Sequence, residues 1–259
     1  MNTLVSVSLD GPVQVLRISR PEKKNALSGE MYEALSEAIV SGDADAGVAA
    51  HVIFGVPGAF TAGNDIADFL AHSKDSGGVA PVMRFIQLLP KVQKPILAGV
   101  DGVAVGIGTT MLFHCDLVYA TPAAKFSTPF LDLGLVPEAG SSMLFARTMG
   151  YARAFELLAL GNAFSAERAR EAGFVNDIVS SDDLENVVME AARRLAAKPP
   201  EALALARRMM RADADVIAKR VDDEAVEFKR RLASPEAREA LSAFLEKRPP
   251  DFARLAKKG

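Results

Sequence analysis

The sequence predicts an α/β layered fold that closes in a run of helices, and three observations carry that expectation. Short apolar runs of strand length each end in a turn containing Gly or Pro. Strands and helices alternate along the chain, as layered α/β units require. From about Ser181 the apolar spacing is helical only. The chain is therefore divided into a core over residues 1–195 and a C-terminal helical region over residues 196–259.

Leu4 to Ser19 reads as two strands turning at Gly11-Pro12, with Val13, Val15, Leu16 and Ile18 as apolar positions. After the loop Arg20 to Leu27, Ser28 stands where an N-cap belongs, ahead of a helix through about Val40. His51 to Val56 is a buried strand ending at Pro57-Gly58. Val79 to Val92 is helical, with Val82, Phe85, Ile86 and Leu89 on one face. Pro95 to Val100 is a strand feeding the glycine-rich stretch Gly102 to Gly108, from which a helix over Thr109 to Asp116 emerges. Leu117 to Ala120 and Lys125 to Thr128 are further strands. In the tail, Ser181 to Ala197, Pro200 to Met210, Asp213 to Leu232 and Pro235 to Glu246 are amphipathic helices. Ser234 and Pro235 form a helix start, Ser as N-cap and Pro at the first helical position.

Composition narrows the function classes. With 49% hydrophobic and 24% charged residues the chain can bury a sizeable core. The formal net charge is -3 and the 30 basic residues are scattered, which argues against a nucleic-acid partner. Cys115 is the only cysteine, so no intrachain disulfide forms and a reducing compartment fits. Met1 to Asp10 alternates like a strand rather than a signal peptide, no apolar run reaches the ~20 residues that span a bilayer, and Ala256 to Gly259 carries no targeting signal. The expectation is a soluble cytoplasmic protein with no membrane partner.

Three histidines, His51, His72 and His114, lie far apart, and no pair has metal-ligand spacing, so no metal site is expected. Gly106-Ile107-Gly108 holds two glycines of a dinucleotide fingerprint, but Met111 stands where the third belongs. Two glycine turns carry more chemistry: Ala59 to Ile66 after a buried strand, and Gly106-Ile107-Gly108 opening a helix. Small residues let the backbone approach a ligand, and unpaired first-turn amides can stabilise an oxyanion. The same turns would also serve simply as connections. Glu138, in Leu135 to Ser142, reads either as a solvated carboxylate beside a helix start or as a desolvated acid–base. The apolar neighbours Leu131, Leu133, Leu135, Val136, Met143, Leu144 and Phe145 favour a raised pKa.

Taken together, these residues resemble the crotonase (enoyl-CoA hydratase/isomerase) superfamily over nearly the whole chain. The likeness runs from Arg20-Pro21 with Asn25-Ala26-Leu27, through Phe60 to Ile66 and Asp101 to Gly108, to Cys115 to Ala120. It continues over Phe126 to Gly140 and Glu167 to Val179. The resemblance implies a spiral of β-β-α units with a C-terminal helical trimerisation region, hence a homotrimer or dimer of trimers. It implies an acyl-CoA thioester as substrate, coenzyme A being part of that substrate and no separate cofactor being needed. On the matching positions the oxyanion donors are the amides of Asn64 and Ile107. Ala62, Gly63, Asn64, Asp65 and Ile66 line the acyl-CoA, and the loop with Lys23, Lys24, Asn25 and Ala26 approaches its nucleotide portion. Those lysines also read as plain solvated charges. Phe69 to Val82, with Gly77-Gly78, reads as a mobile loop and helix near the acyl site that tunes substrate preference.

Departures from the family pattern set the expected subclass. Hydratases of the family carry glutamates where Thr110 and Phe130 stand here, and typically glycine where Glu138 stands. A lone carboxylate at this place resembles the peroxisomal-type Δ3,Δ2-enoyl-CoA isomerases. Ring-epoxide isomerases of phenylacetyl-CoA breakdown place an acidic residue there too. The expectation is a Δ3,Δ2-enoyl-CoA isomerase of fatty-acid or related acyl-CoA degradation with Glu138 as acid–base. The alternatives are a hydratase or ring-epoxide isomerase of the same superfamily, with an RNA-binding homologue disfavoured by the scattered charge.

Overall fold

A computed structural model describes residues 4–67, 80–211 and 213–256. The reading of residues 69–79 as a loop near the acyl site lies outside the described residues.

The chain opens with an antiparallel hairpin, β1 (Val5–Asp10) and β2 (Val13–Ile18), followed by α1 (Gly29–Ala44). A repeating unit then follows three times, each adding a long strand, a short strand and a helix. The first is β3 (Ala50–Phe54), β4 (Ala59–Thr61) and α2 (Ala80–Leu88). The second is β5 (Ile96–Val100), β6 (Val103–Val105) and α3 (Ile107–Thr110). The third is β7 (Leu117–Ala120), β8 (Lys125–Ser127) and α4 (Ser141–Met149). Next come α5 (Tyr151–Phe155), β9 (Phe164–Ser165), α6 (Ala166–Glu171) and β10 (Asp177–Ile178). The chain closes in helices α7 (Leu184–Ala196), α8 (Pro200–Met210), α9 (Ala214–Leu232), α10 (Pro235–Leu245) and α11 (Phe252–Ala256).

Long strands build one sheet in the order β1-β2-β3-β5-β7-β10, and short strands build a second in the order β4-β6-β8-β9. All pairs are parallel except β1 with β2 and β8 with β9. Each turn of the chain thus advances both sheets by one strand, which is the expected spiral of β-β-α units. The central strands β3 and β5 are buried along their whole length, so they read as continuous apolar runs rather than alternating ones. Alternate residues still serve different layers. Ala50, Val52 and Phe54 pack with Leu184, Val188 and Met189 of α7, whereas Ile53 faces the main core between the sheets and the remaining helices. Ile217, Val221 and Phe228 of α9 and Ala237 of α10 belong to that same main core.

Several boundaries differ from expectation. The short strands β4 and β6 lie inside stretches read only as glycine turns, and three residues are too few for periodicity to show. The helix expected over Thr109 to Asp116 starts earlier, at Ile107, and tightens after Thr110 into a 3₁₀ turn over Met111–His114. Thr109 and Thr110 are β-branched, and their hydroxyls bond Ala104 and Glu138, which favours a short helix. Helix α1 runs on to Ala44. Ser28 occupies its N-cap position without a side-chain capping bond, whereas the Ser234 hydroxyl caps α10 through the Ala237 amide.

Candidate active site

Parallel pairing of β4 with β6 and of β6 with β8 sets three loops side by side at the C-terminal edge of the second sheet. They are Ala62 to Ile66 after β4, Gly106-Ile107 after β6, and the run from Thr128 to Glu138 after β8. The loop over residues 20–27 crosses the first of them. Leu27 donates to the Gly63 carbonyl at 2.8 Å and accepts from the Asp65 amide at 2.9 Å. In such a parallel bridge the residue between, Asn64, turns its own N–H away from Leu27. That amide has no acceptor among the described residues, nor does the amide of Ile107, the first residue of α3. Gly63 is required here: its φ is +86°, and a Cβ would stand 2.8 Å from the Val105 carbonyl oxygen.

Asn25 holds the crossing loop. It is fully buried at φ +58°, and its Nδ2 donates to the carbonyls of Ile18, Ala59 and Phe60 while its Oδ1 accepts from the Arg20 amide. Tyr32 of α1, 1% exposed, donates its hydroxyl to Asn64 Oδ1 at 2.5 Å. Arg20 pairs with Asp65 at 2.9 Å, so Asp65 is tied to the loop scaffold.

Glu138 is 6% exposed. Its Oε1 accepts from the Thr110 hydroxyl at 2.6 Å, and Oε2 is buried without a protein partner. Burial pushes the carboxyl up to about 8, helped by the negative charge of Glu224 and opposed by the Thr110 hydrogen bond. The following Ala139 has φ +56°, an uncommon value for a residue with a Cβ. Its carbonyl accepts from His114 Nε2–H at 2.7 Å. Burial drives His114 down to about 3, so this ring is neutral with its proton on Nε2. His114 therefore orients the turn and carries no charge into it.

A cavity of about 370 Å³ collects these groups. Of the site residues expected from the sequence, Ala26, Ala62, Asn64, Asp65, Ile66, Ile107 and Glu138 line it. Lys24 and Gly63 do not. Lys23 lines the cavity instead, because the 3₁₀ turn Pro21–Lys23 ends with Lys24 in the left-handed region and its carbonyl bonded to the Ala62 amide. Phe130, Leu133 and Leu135 form one apolar wall, and Phe228, Leu241, Phe244 and Leu245 of α9 and α10 form another. That second wall, the Tyr32 bond and the Thr110 bond went unread in the sequence. Each joins residues far apart in the chain, and no local pattern announces them.

Two unpaired amides beside an apolar cavity, with a proton-hungry carboxyl facing it, suit an oxygen that gains negative charge as a neighbouring carbon loses a proton. Comparison with known proteins places the chain in a family. Residues 9–255 match the family model described as enoyl-CoA hydratase/isomerase. A 1,2-epoxyphenylacetyl-CoA isomerase of Escherichia coli is 34% identical over 93% of this chain and 94% of its own. A probable enoyl-CoA hydratase of Rhizobium meliloti is 30% identical over 95% and 96%. The crystal structure of an enoyl-CoA hydratase/isomerase from Pseudoalteromonas atlantica superposes with a TM-score of 0.91 at 37% identity, covering 96% of this chain and all of that one.

Proposed function

The chain belongs to the enoyl-CoA hydratase/isomerase family of acyl-CoA enzymes, and within it we propose a Δ3,Δ2-enoyl-CoA isomerase. One observation carries the reading. Of the two carboxylates among the described residues lining the cavity, Asp65 is tied to Arg20, which leaves Glu138 as the single candidate acid–base. Thr110 and Phe130 stand where the family resemblance puts the two glutamates of a hydratase. Thr110 spends its hydroxyl on Glu138, and Phe130 presents an apolar ring to the cavity. Activating a water and protonating the α-carbon needs two groups, and this pair supplies neither.

In the proposed reaction the thioester oxygen of a 3-enoyl-CoA accepts hydrogen bonds from the Asn64 and Ile107 amides. Each such donor is worth about 2.7–4 kcal/mol in other enzymes. Ionised Glu138 takes a proton from C2, leaving a dienolate with its charge on that oxygen. The protonated carboxyl then returns the proton to C4, and the double bond ends between C2 and C3. Atoms and charge balance without a cofactor, since coenzyme A arrives as part of the substrate. Ala62, Asp65 and Ile66 would shape the acyl-CoA path, and Lys23 and Ala26 its entry. The homotrimer or dimer of trimers implied by the resemblance would cover exposed apolar side chains of the tail such as Met209, Met210 and Val226.

Glu138→Gln is expected to lower kcat by about 10²–10⁴-fold with little change in KM. Wild-type turnover in that variant, or vigorous hydration of crotonyl-CoA by the wild type, would sink the reading. The similarity to 1,2-epoxyphenylacetyl-CoA isomerase supports a second reading, ring-epoxide isomerisation from the same carboxyl. Incubation with that epoxide and with a linear 3-enoyl-CoA, followed by mass spectrometry and ultraviolet detection of conjugation, separates the two.

A further inference from the structure

Glu224 is a further buried carboxylate beside the site, 8% exposed, and the reaction above gives it no task. It comes from α9, the helix that also contributes Phe228 to the cavity wall. One of its oxygens accepts from the Gly140 amide at 2.6 Å; the other accepts from the Ser142 amide at 2.9 Å and from the Ser142 hydroxyl. These donors begin two residues after Glu138. The Glu138 carbonyl accepts from the Ser141 amide at 3.0 Å, so Glu138 to Ser141 is one tight turn, with Ala139 and Gly140 both at positive φ. A Cβ-bearing residue holds such a φ only when its surroundings enforce it. Glu224 supplies that constraint on one side of the turn, and the His114 bond to the Ala139 carbonyl supplies it on the other.

We propose that Glu224 is a positioning residue for Glu138: from the C-terminal region it clamps the turn that carries the base and sets its own carboxylate beside it. The inference rests on the reading of Glu138 as the acid–base. Burial holds the Glu224 carboxyl above its ordinary range, and the hydrogen bonds from Ser142 and Gly140 and the charge of Arg220 oppose that rise. Among the described residues the other titratable groups around Glu138 include Tyr32, whose hydroxyl is held well above its ordinary range by burial and by Glu138, the neutral His114, and Lys23 and the Arg20-paired Asp65 across the cavity. Glu224 is the one group whose negative charge bears on Glu138 through the turn. A like charge raises the proton affinity of its neighbour, so Glu224 shifts the base toward neutral pH.

The test is a carboxyl titration of protein labelled with ¹³C-glutamate, with Glu138→Gln used to assign the Glu138 signal. In the wild type, Glu224 is expected to stay ionised through the interval in which Glu138 titrates; a protonated Glu224 there overturns the proposal. Glu224→Gln keeps the size and an acceptor oxygen but removes the charge. It is expected to lower the Glu138 titration midpoint by about one pH unit, and the acidic limb of kcat/KM with it. Glu224→Asp, which keeps the charge, is expected to restore most of the shift. A Gln variant that folds and titrates like the wild type reduces Glu224 to a plain helix cap and ends the idea. Glu224→Asp also removes the labelled Glu224 signal and so assigns it, and the wild-type arm then decides the matter even if the Gln variant does not fold. Because the titration is read without substrate, it stands apart from any failure of the isomerase reading.

Discussion

At the scale of single residues, the site is governed by where Glu138 keeps its proton. With its carboxyl pushed up to about 8, the ionised form of Glu138, the proposed base, is in the minority at neutral pH. The expected kcat/KM therefore rises with pH and levels off above about 8. Thr110→Val removes the one hydrogen bond that favours the ionised form, so its acidic limb should lie at higher pH and its activity at pH 7 should fall several-fold. A limb that stays put in this variant would show that Thr110 does not bear on Glu138. Stability carries the opposite sign. The folded carboxyl holds its proton more tightly than the ordinary value of 4.5, so wild-type stability declines as pH rises from about 4.5 through about 8. Glu138→Gln lacks that burden. Its melting temperature should exceed the wild type's at pH 8, by roughly 5 °C or more, with the gap closing near pH 4.5. Calorimetry across that range checks it.

At the scale of elements, loops from neighbouring parallel strands make the proposed oxyanion site, and glycine lets them meet. Gly63→Ala would force a Cβ against the Val105 carbonyl oxygen at a φ that disfavours it. A stability loss of about 1–3 kcal/mol is expected, together with a kcat loss as the Asn64 amide is displaced. Denaturant unfolding and steady-state kinetics read the two effects separately, and a Gly63→Ala enzyme with normal kcat would place the donor elsewhere. The motif Ala62 to Ile66 was legible because its glycine and its place after a strand are local signals. Tyr32 was not, because a tyrosine on the buried face of α1 looks like any core aromatic. Its bond to Asn64 exists only because α1 packs beneath the loop. Lys23 and Lys24 could not be told apart for a related reason: one dihedral at the end of a 3₁₀ turn decides which of them borders the cavity.

For the whole molecule, the division into a core over residues 1–195 and a helical tail over residues 196–259 meets a shared interior. Ile217, Val221, Phe228 and Ala237 of the tail lie in the main core, Phe228 and Leu241 wall the cavity, and Glu224 reaches the Glu138 turn. A chain ending at residue 195 is expected to lose cooperative unfolding and to bind acyl-CoA poorly, as circular dichroism and calorimetry would show. Normal folding of that fragment would mean the two regions are independent. Sedimentation of the full chain tests the proposed trimer, for which a monomer at micromolar concentration is the contrary outcome. Among the described residues no helix is long and apolar enough to cross a membrane.

By itself the sequence determined the alternation of strands and helices, the helical tail, both glycine turns and the carboxylate at Glu138, because each is written in local period, turn chemistry or motif. Tertiary structure alone decided that Thr110 and Glu138 share a proton-bearing contact, that Asn64 and Ile107 line one cavity, and that α9 and α10 close it. Those features depend on which strands pair and which helices pack, and such long-range choices leave no mark at the spacing of a single turn or strand.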